Sequence, residues 1–132
     1  MALPRIGVSD LRGIMAYPPT PAKANAADLN ARDTVDLDET ERMIKQLLQD
    51  GVDSIATNGT LGEMATLTLE EWKAFATTVV ETVRAHNPDF PLFIGATTLN
   101  TRDTIDRMRF LRDIGAPGVL LGRPMWSEMT AK

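Results

Sequence analysis

Short apolar segments alternate with amphipathic ones along this chain, and this alternation restricts its fold more than any other feature. The apolar segments have the length of β-strands, and they cover residues 11–17, 52–57, 91–96 and 118–122. Between them, apolar residues recur with the spacing of an α-helix. A β-α-β-α-β-α-β order is typical of an α/β fold with a parallel sheet, which leaves an open doubly wound sheet or a (β/α)8 barrel.

Capping residues mark the beginnings of the helices. We expect the three helices to begin at Asp36, at Thr68, and at Asn100 or Thr101. Thr68 and Glu71 have the sequence of a capping box, in which each side chain bonds to the backbone amide of the other residue. The residues expected to share apolar faces are Met43, Ile44, Leu47 and Leu48, then Trp72, Phe75, Ala76, Val79, Val80 and Val83, then Ile105, Met108, Leu111 and Ile114. We expect the methionines, Met108 included, to pack in the core.

The barrel is the better prediction of the two architectures. No strand is followed by a G-x-G-x-x-G run or a Walker lysine, which disfavours nucleotide-binding sheets. The helices keep the same short spacing, and nothing indicates a reversal of strand order. A complete barrel needs about 250 residues, whereas the chain has 132. We therefore predict one domain, residues 1–132, that holds about half of a (β/α)8 TIM barrel.

The composition disfavours several classes of function. Hydrophobic residues make up 43% of the chain and charged residues 24%, as in globular domains. A net charge of −4, with dispersed Lys and Arg, argues against nucleic acid as a partner. No segment is as long and apolar as a membrane span. The absence of cysteine excludes thiolate metal sites and favours a cytoplasmic protein. We expect neither a metal nor a cofactor.

The segment Asn58–Glu63 is the strongest candidate for a binding site. It follows the second predicted strand directly and precedes a well-capped helix, and Gly59 and Gly62 bracket two of its residues. Such a turn can direct successive backbone N–H groups at one point, which binds a carboxylate or phosphate without a charged side chain. Taken alone, the two glycines indicate only a tight turn. Their place between a strand and a capped helix favours binding.

Several segments resemble the dihydrodipicolinate synthase / N-acetylneuraminate lyase family. They are Gly51-Val52-Asp53, Gly59-Thr60-Leu61-Gly62-Glu63, Leu67-Thr68-Leu69-Glu70-Glu71, and Gly95 with Asn100-Thr101. Within the family, Leu99-Asn100-Thr101-Arg102 and Pro124-Met125-Trp126 resemble the hydratase-aldolases of aromatic catabolism. The resemblance implies that residues 1–132 are the first four βα-type units of a (β/α)8 TIM barrel, its N-terminal half. It also implies a pyruvate-handling class I aldolase, in which a lysine forms a Schiff base with a 2-oxo acid.

The resemblance also implies roles for individual residues. Gly59, Thr60 and the Leu61 amide would bind the carboxylate of the 2-oxo acid, while the Leu61 side chain packs and makes the pocket more apolar. Trp126 would lie against the aromatic part of the substrate; a core position for it is an equal alternative. The Schiff-base lysine and the catalytic tyrosine of the family are expected beyond Lys132, so no catalytic residue is assigned to this chain.

Three hypotheses of function result. In the first, the intact protein is a carbon–carbon lyase, a homo-oligomer that hydrates a benzylidenepyruvate-type substrate and cleaves it to an aromatic aldehyde and pyruvate. In the second, it is a dihydrodipicolinate synthase-like enzyme or a sugar-acid aldolase, which Leu61 and Trp126 disfavour. In the third, the chain is a non-catalytic half-barrel fragment that self-associates. Its length of 132 residues and the lack of a Schiff-base lysine motivate this hypothesis, because Lys23, Lys45 and Lys73 lie in loop or surface-helix positions.

Overall fold

The computed structural model describes residues 6–123, and every strand and helix predicted from the sequence is present. The elements are a short 3-10 helix (Val8–Asp10), β1 (Met15–Ala16), α1 (Leu37–Gln49), β2 (Ser54–Thr57), α2 (Leu69–His86), β3 (Leu92–Gly95), α3 (Thr101–Ile114) and β4 (Gly118–Leu120). Asp36 and Asn100 cap α1 and α3 as predicted. The strands are shorter than predicted. β1 lacks its first half because Gly13 has a φ of +74°, which breaks the extended chain. No helix within residues 6–123 is long and apolar enough to cross a bilayer.

The four strands form one parallel sheet in the order β1-β2-β3-β4. Ile55 pairs with Leu92, and Ile94 pairs with Val119, so each strand bonds to its neighbour in sequence. Right-handed crossovers without a reversal of strand order place the helices on one face of the sheet, whereas a doubly wound sheet requires a reversal. The topology confirms the α/β prediction and favours a barrel segment over an open doubly wound sheet.

The hydrophobic core lies between the sheet and the helices. Its largest fully buried members are Ile44, Ile55, Trp72, Phe75, Val79, Leu92, Ile94 and Leu111. Trp72 is central, because its ring lies 5.7 Å from the ring of Phe110 and its Nε1 donates a 2.9 Å hydrogen bond to Gly95 O. All six residues predicted for the apolar face of α2 are buried, which confirms that prediction.

The apolar face predicted for α3 is partly wrong. Ile105 is 40% exposed and Met108 is 38% exposed, so Met108 is not a core residue. Phe110 and Arg107 contact α2, and both lie against the Trp72 ring. A planar guanidinium can stack on an aromatic face, so an arginine takes a position at which an apolar residue is expected. At 3.6 residues per turn, Ile105 and Met108 then lie on the opposite flank of α3 from Phe110.

Glu71 connects the beginning of α2 to the loop that precedes α1. Its carboxylate accepts hydrogen bonds from the N–H and Oγ1 of Thr68, at 2.9 and 2.8 Å, and from the N–H and Oγ1 of Thr34, at 2.8 and 2.6 Å. Thr68 Oγ1 accepts in turn from Glu71 N at 3.3 Å, which completes the predicted capping box. Burial raises the pKa of Glu71, but the bonds from Thr34 and Thr68 outweigh it and lower that pKa from 4.5 to about 2. We call these three residues the Glu71 clasp.

Candidate functional site

A cavity of about 410 Å³ lies where the carboxyl ends of the four strands meet. This edge of the sheet builds the active sites of (β/α)8 barrels. The residues that line the cavity are Tyr17, Pro18, Ala56, Gly59, Thr60, Leu61, Gly62, Met64, Thr97, Leu120, Leu121, Gly122 and Arg123. Three residues predicted to bind a carboxylate, Gly59, Thr60 and Leu61, are therefore together in its wall. We call it the strand-end cavity.

Close backbone contacts around Asn58 set the shape of the loop after β2. Asn58 has a φ of 50° and is 1% exposed. A Cβ atom at position 62 would lie 2.5 Å from Asn58 N, and one at position 95 would lie 2.0 Å from Asn58 O. Such distances are far inside van der Waals contact, so only glycine fits at both positions. Gly62 from the loop and Gly95 from the end of β3 therefore permit the tight turn.

Three successive backbone amides of this loop have no part in the bonds that close the turn. Gly62 N and Met64 N donate to Gly59 O, at 3.0 and 3.3 Å, and these bonds close the turn. The N–H groups of Gly59, Thr60 and Leu61 donate to no backbone oxygen of residues 6–123. Successive N–H groups of a turn that lack internal partners create a positive potential suited to an anion. The loop backbone can therefore bind a carboxylate.

Threonine hydroxyls connect the loops around the cavity. Thr20 Oγ1 donates a 2.9 Å hydrogen bond to Gly62 O, which joins the loop after β1 to the loop after β2. Thr97 Oγ1 accepts a 2.9 Å hydrogen bond from Gly122 N, which joins the ends of β3 and β4. Each such bond contributes about 1 kcal/mol. The loops around the strand-end cavity are thus held as two connected pairs.

Apart from the loop amides and the threonine hydroxyls, the cavity wall is largely apolar. Leu61 is 72% exposed, so the prediction that its side chain packs is wrong. Arg123 is the one charged residue among those that line the cavity within residues 6–123. Arg123 was not predicted as a site residue, although its place just after β4 is the signal that could have indicated it. Trp126, the fourth predicted binding residue, lies outside the described residues.

The lysines in the described part of the chain are not suited to Schiff-base chemistry. The ion pairs that they form are Lys23–Asp33 at 2.6 Å, Lys45–Glu41, and Lys73–Glu70 at 3.1 Å. None of the three lysines lines the strand-end cavity. A Schiff base requires the lysine amine to reach the ketone of the bound substrate, so these three lysines cannot serve a substrate held in this cavity.

A larger groove, of about 840 Å³, runs between α2 and α3. Trp72 and Phe110 line it, and Arg107 lies over the Trp72 ring, 4.7 Å from the ring centroid. Burial lowers the pKa of Arg107. The groove shares Met64 and Thr97 with the strand-end cavity, but it lies on the flank of two helices and the loop amides do not line it. The smaller cavity is therefore the candidate site.

Comparison with known proteins assigns the chain to a family. The model of the dihydrodipicolinate synthetase family matches residues 13–132. The chain belongs to this family. Among curated members, the trans-2'-carboxybenzalpyruvate hydratase-aldolase of Nocardioides sp. (strain KP7) is 49% identical over 126 residues. The trans-O-hydroxybenzylidenepyruvate hydratase-aldolase of Pseudomonas putida is 46% identical over 125 residues. The matches cover 96% and 95% of this chain, which spans only 37% of the length of either relative.

Solved structures share the fold of this chain, a member of the dihydrodipicolinate synthetase family. The structure of PhdJ bound to a substrate intermediate superimposes with a TM-score of 0.88 and 42% identity, over 96% of this chain and 38% of PhdJ. The structure of a monomeric dihydrodipicolinate synthase variant superimposes with a TM-score of 0.75 and 27% identity, over 94% of this chain and 39% of the variant. The neighbours are TIM barrels, so the prediction of a partial (β/α)8 barrel is confirmed.

Proposed function

We propose that the full-length protein carrying this chain is a class I hydratase-aldolase of aromatic catabolism. It cleaves a benzylidenepyruvate-type substrate to an aromatic aldehyde and pyruvate. The observation that carries the proposal is the loop Gly59–Leu61, which lines a largely apolar cavity and whose three amides donate to no backbone oxygen of residues 6–123. Such a cavity suits a carboxylate with an apolar tail. The two relatives at 49% and 46% identity are named as hydratase-aldolases, which supports the class of reaction.

The reaction begins when a lysine amine attacks the ketone of the substrate, and loss of water gives an imine. Water then adds across the benzylidene double bond and places a hydroxyl on the carbon next to the ring. Loss of the hydroxyl proton breaks the C–C bond, so the aldehyde leaves and the electron pair moves to the imine nitrogen as an enamine. Protonation of the enamine carbon, followed by hydrolysis, releases pyruvate and the lysine. The family resemblance implies that this lysine, with a catalytic tyrosine, follows residue 132.

The residues of this chain bind and orient the substrate. The amides of Gly59, Thr60 and Leu61 donate to the pyruvyl carboxylate in charge-assisted hydrogen bonds. That carboxylate keeps its charge from substrate to product, so these bonds stabilise the ground state and the transition state alike and mainly lower KM. The Thr60 hydroxyl lies near the reacting carbon, and Leu61 and Trp126 lie against the aromatic part.

Reduction of the imine tests the proposal. Sodium borohydride, added to the full-length protein with pyruvate, should give a covalent lysine adduct that mass spectrometry detects. The same treatment of the 132-residue chain should give none. Absence of the adduct in the full-length protein contradicts the proposal. Turnover of aspartate semialdehyde with pyruvate in preference to the aromatic substrate would instead indicate a synthase.

We further propose that the full-length protein is a cytoplasmic homo-oligomer whose small-molecule partner is the 2-oxo acid. The 132-residue chain by itself presents β1 and β4 as the outer strands of its sheet. Unpaired strand edges promote association, so sedimentation velocity should find this isolated chain self-associated and an activity assay should find it inactive. Cleavage by the isolated chain would contradict its non-catalytic character.

A further inference from the structure

Two threonine side chains hold two different segments of the strand-end cavity. Thr20 Oγ1 donates to Gly62 O in the loop after β2, and Thr97 Oγ1 accepts from Gly122 N just after β4. We propose that Thr97 is a positioning residue for the aromatic end of the substrate. It holds residues 121–123, which we call the β4 extension, in the wall along which the ring lies, whereas Thr20 acts on the carboxylate end. This inference rests on the proposed function, because it concerns the same substrate in the same cavity.

The bond between Gly122 and Thr97 stands in place of a bond of the parallel ladder. Ala96 N donates to Leu120 O at 3.1 Å, which continues the pairing of β3 with β4. In a regular parallel ladder, the next bond runs from Gly122 N to Ala96 O. Here that N–H donates to Thr97 Oγ1 at 2.9 Å instead. A side chain therefore fixes the direction in which the chain leaves β4.

Little else holds the β4 extension. Within residues 6–123, its one hydrogen bond outside the strands is the bond to Thr97. Gly122 is exposed and has no side chain, and Leu121 is 55% exposed, so packing contributes little. Loss of the Thr97 oxygen should release the β4 extension, while the ladder bond to Leu120 O keeps β4 itself in place.

The β4 extension lies where the ring of the substrate is expected. A Cβ atom at Gly59 would lie 3.2 Å from Leu120 Cδ2, so the loop proposed to bind the carboxylate contacts the end of β4. Leu121 and Gly122 follow within about 7 Å of extended chain, and both line the cavity. In a benzylidenepyruvate, a chain of similar length separates the carboxylate from the ring. A substrate whose carboxylate is bound by the loop after β2 can therefore place its ring beside the β4 extension.

The carboxylate end does not depend on this bond. The loop after β2 has its own connection, the bond from Thr20 Oγ1 to Gly62 O. Leu120, the residue of β4 that approaches this loop, is held by the ladder. Removal of the Thr97 oxygen should therefore weaken ligands that reach the β4 extension and leave shorter ligands unaffected.

Calorimetry with two ligands that cannot form an imine measures the two ends separately. Oxamate is an amide analogue of pyruvate, and N-benzyloxamate carries a ring at the same number of bonds from the carboxylate as in benzylidenepyruvate. We call the ratio of the oxamate dissociation constant to that of N-benzyloxamate the ring preference. On the full-length protein, Thr97→Val, which keeps the shape of the side chain and loses its oxygen, should lower the ring preference roughly fivefold, the size of one hydrogen bond. The affinity for oxamate should not change.

Further variants separate positioning from a general loss of structure. Thr97→Ser keeps the oxygen and should keep the ring preference, and Thr97→Ala removes the oxygen with a smaller side chain, which repeats the test if Thr97→Val does not fold. Thr98→Val is the matched control, because the Thr98 hydroxyl donates to Asn100 O and the residue lines the groove but not the cavity. It should keep the ring preference. Thr20→Val should weaken both ligands alike.

Each outcome decides the matter. A lower ring preference in Thr97→Val or Thr97→Ala, with the preference kept in Thr97→Ser, supports the assignment. The assignment is overturned if wild type binds N-benzyloxamate no more tightly than oxamate, if Thr97→Val weakens both ligands equally or neither, or if Thr97→Ser also loses the preference. Borohydride trapping of pyruvate reports separately on the proposed function, because neither oxamate reacts with a lysine.

Discussion

The Glu71 clasp predicts an acid-dependent loss of stability that a single substitution should remove. In Glu71→Gln the side chain keeps its shape but has one carbonyl oxygen and one NH2 group. The two hydroxyls around it can rotate to accept from the NH2. The backbone N–H groups of Thr34 and Thr68 can only donate, so the one that faces the new NH2 group loses its acceptor. The site is buried, since residue 71 is 6% exposed. A buried donor without a partner costs about 1–3 kcal/mol.

The magnitude of the effect also follows from the ionisation of Glu71. Lowering its pKa from 4.5 to about 2 makes the ionised carboxylate worth about 3 kcal/mol of folding free energy, at about 1.36 kcal/mol per pKa unit. Because the pKa is lowered in the folded state, this stability is present in full above pH 4.5 and is lost as the pH falls towards 2. At pH 3.5, linkage predicts that about 1.4 kcal/mol of it has gone.

Urea unfolding of the full-length protein at pH 7 and pH 3.5, followed by tryptophan fluorescence, measures this loss. Glu71→Gln should be about 3 kcal/mol less stable than wild type at pH 7, and the difference should shrink to about 2 kcal/mol at pH 3.5. Glu70→Gln is the matched control: the Glu70 side chain is 81% exposed and forms a surface ion pair with Lys73, so the substitution should cost no more than about 0.5 kcal/mol. A difference that stays constant with pH, or an equal cost for Glu70→Gln, would refute the reasoning.

Three further substitutions test the packing around the site. Gly95→Ala should cost about 1–3 kcal/mol or more and lower the affinity for pyruvate, because the new Cβ meets Asn58 O; an unchanged melting temperature would contradict this contact. Trp72→Phe should cost about 1–3 kcal/mol in a urea titration, since it leaves the buried Gly95 O without its donor; a cost near zero would show that this bond is not needed. Thr20→Val should raise the KM for the 2-oxo acid severalfold, because the bond to Gly62 O is lost, and Thr20→Ser should restore it; failure of serine to restore KM would argue for a packing role.

Local patterns predicted the features of this fold that depend on neighbours in sequence. The Thr68–Glu71 capping box and the caps at Asp36 and Asn100 need only residues three positions apart, and all of them form. The β-α alternation predicted the parallel sheet for the same reason. The glycines at 59 and 62 predicted where the loop would turn.

Features that depend on distant partners could not be predicted in this way. Periodicity indicates which residues of α3 share a face, but it does not indicate which face packs against α2. In the structure Arg107 lies over the Trp72 ring of α2, and Met108, on another side of α3, is exposed. Similarly, the residues adjacent to Thr34 and Glu71 in sequence do not indicate that these two side chains form hydrogen bonds with each other. Arg123 belongs to the candidate site only because the ends of β2 and β4 meet around one cavity.

The order of strands in the sheet has a consequence for how the chain folds. Each strand pairs with the strand that precedes it in sequence, so each new βα unit finds its docking edge already made while the ribosome is still adding residues. Each pairing also waits for the helix between the two strands, because parallel neighbours need a crossover connection. We expect folding to advance from β1 towards β4 during synthesis, and the free edge of the last strand made is the template on which the sheet continues to grow.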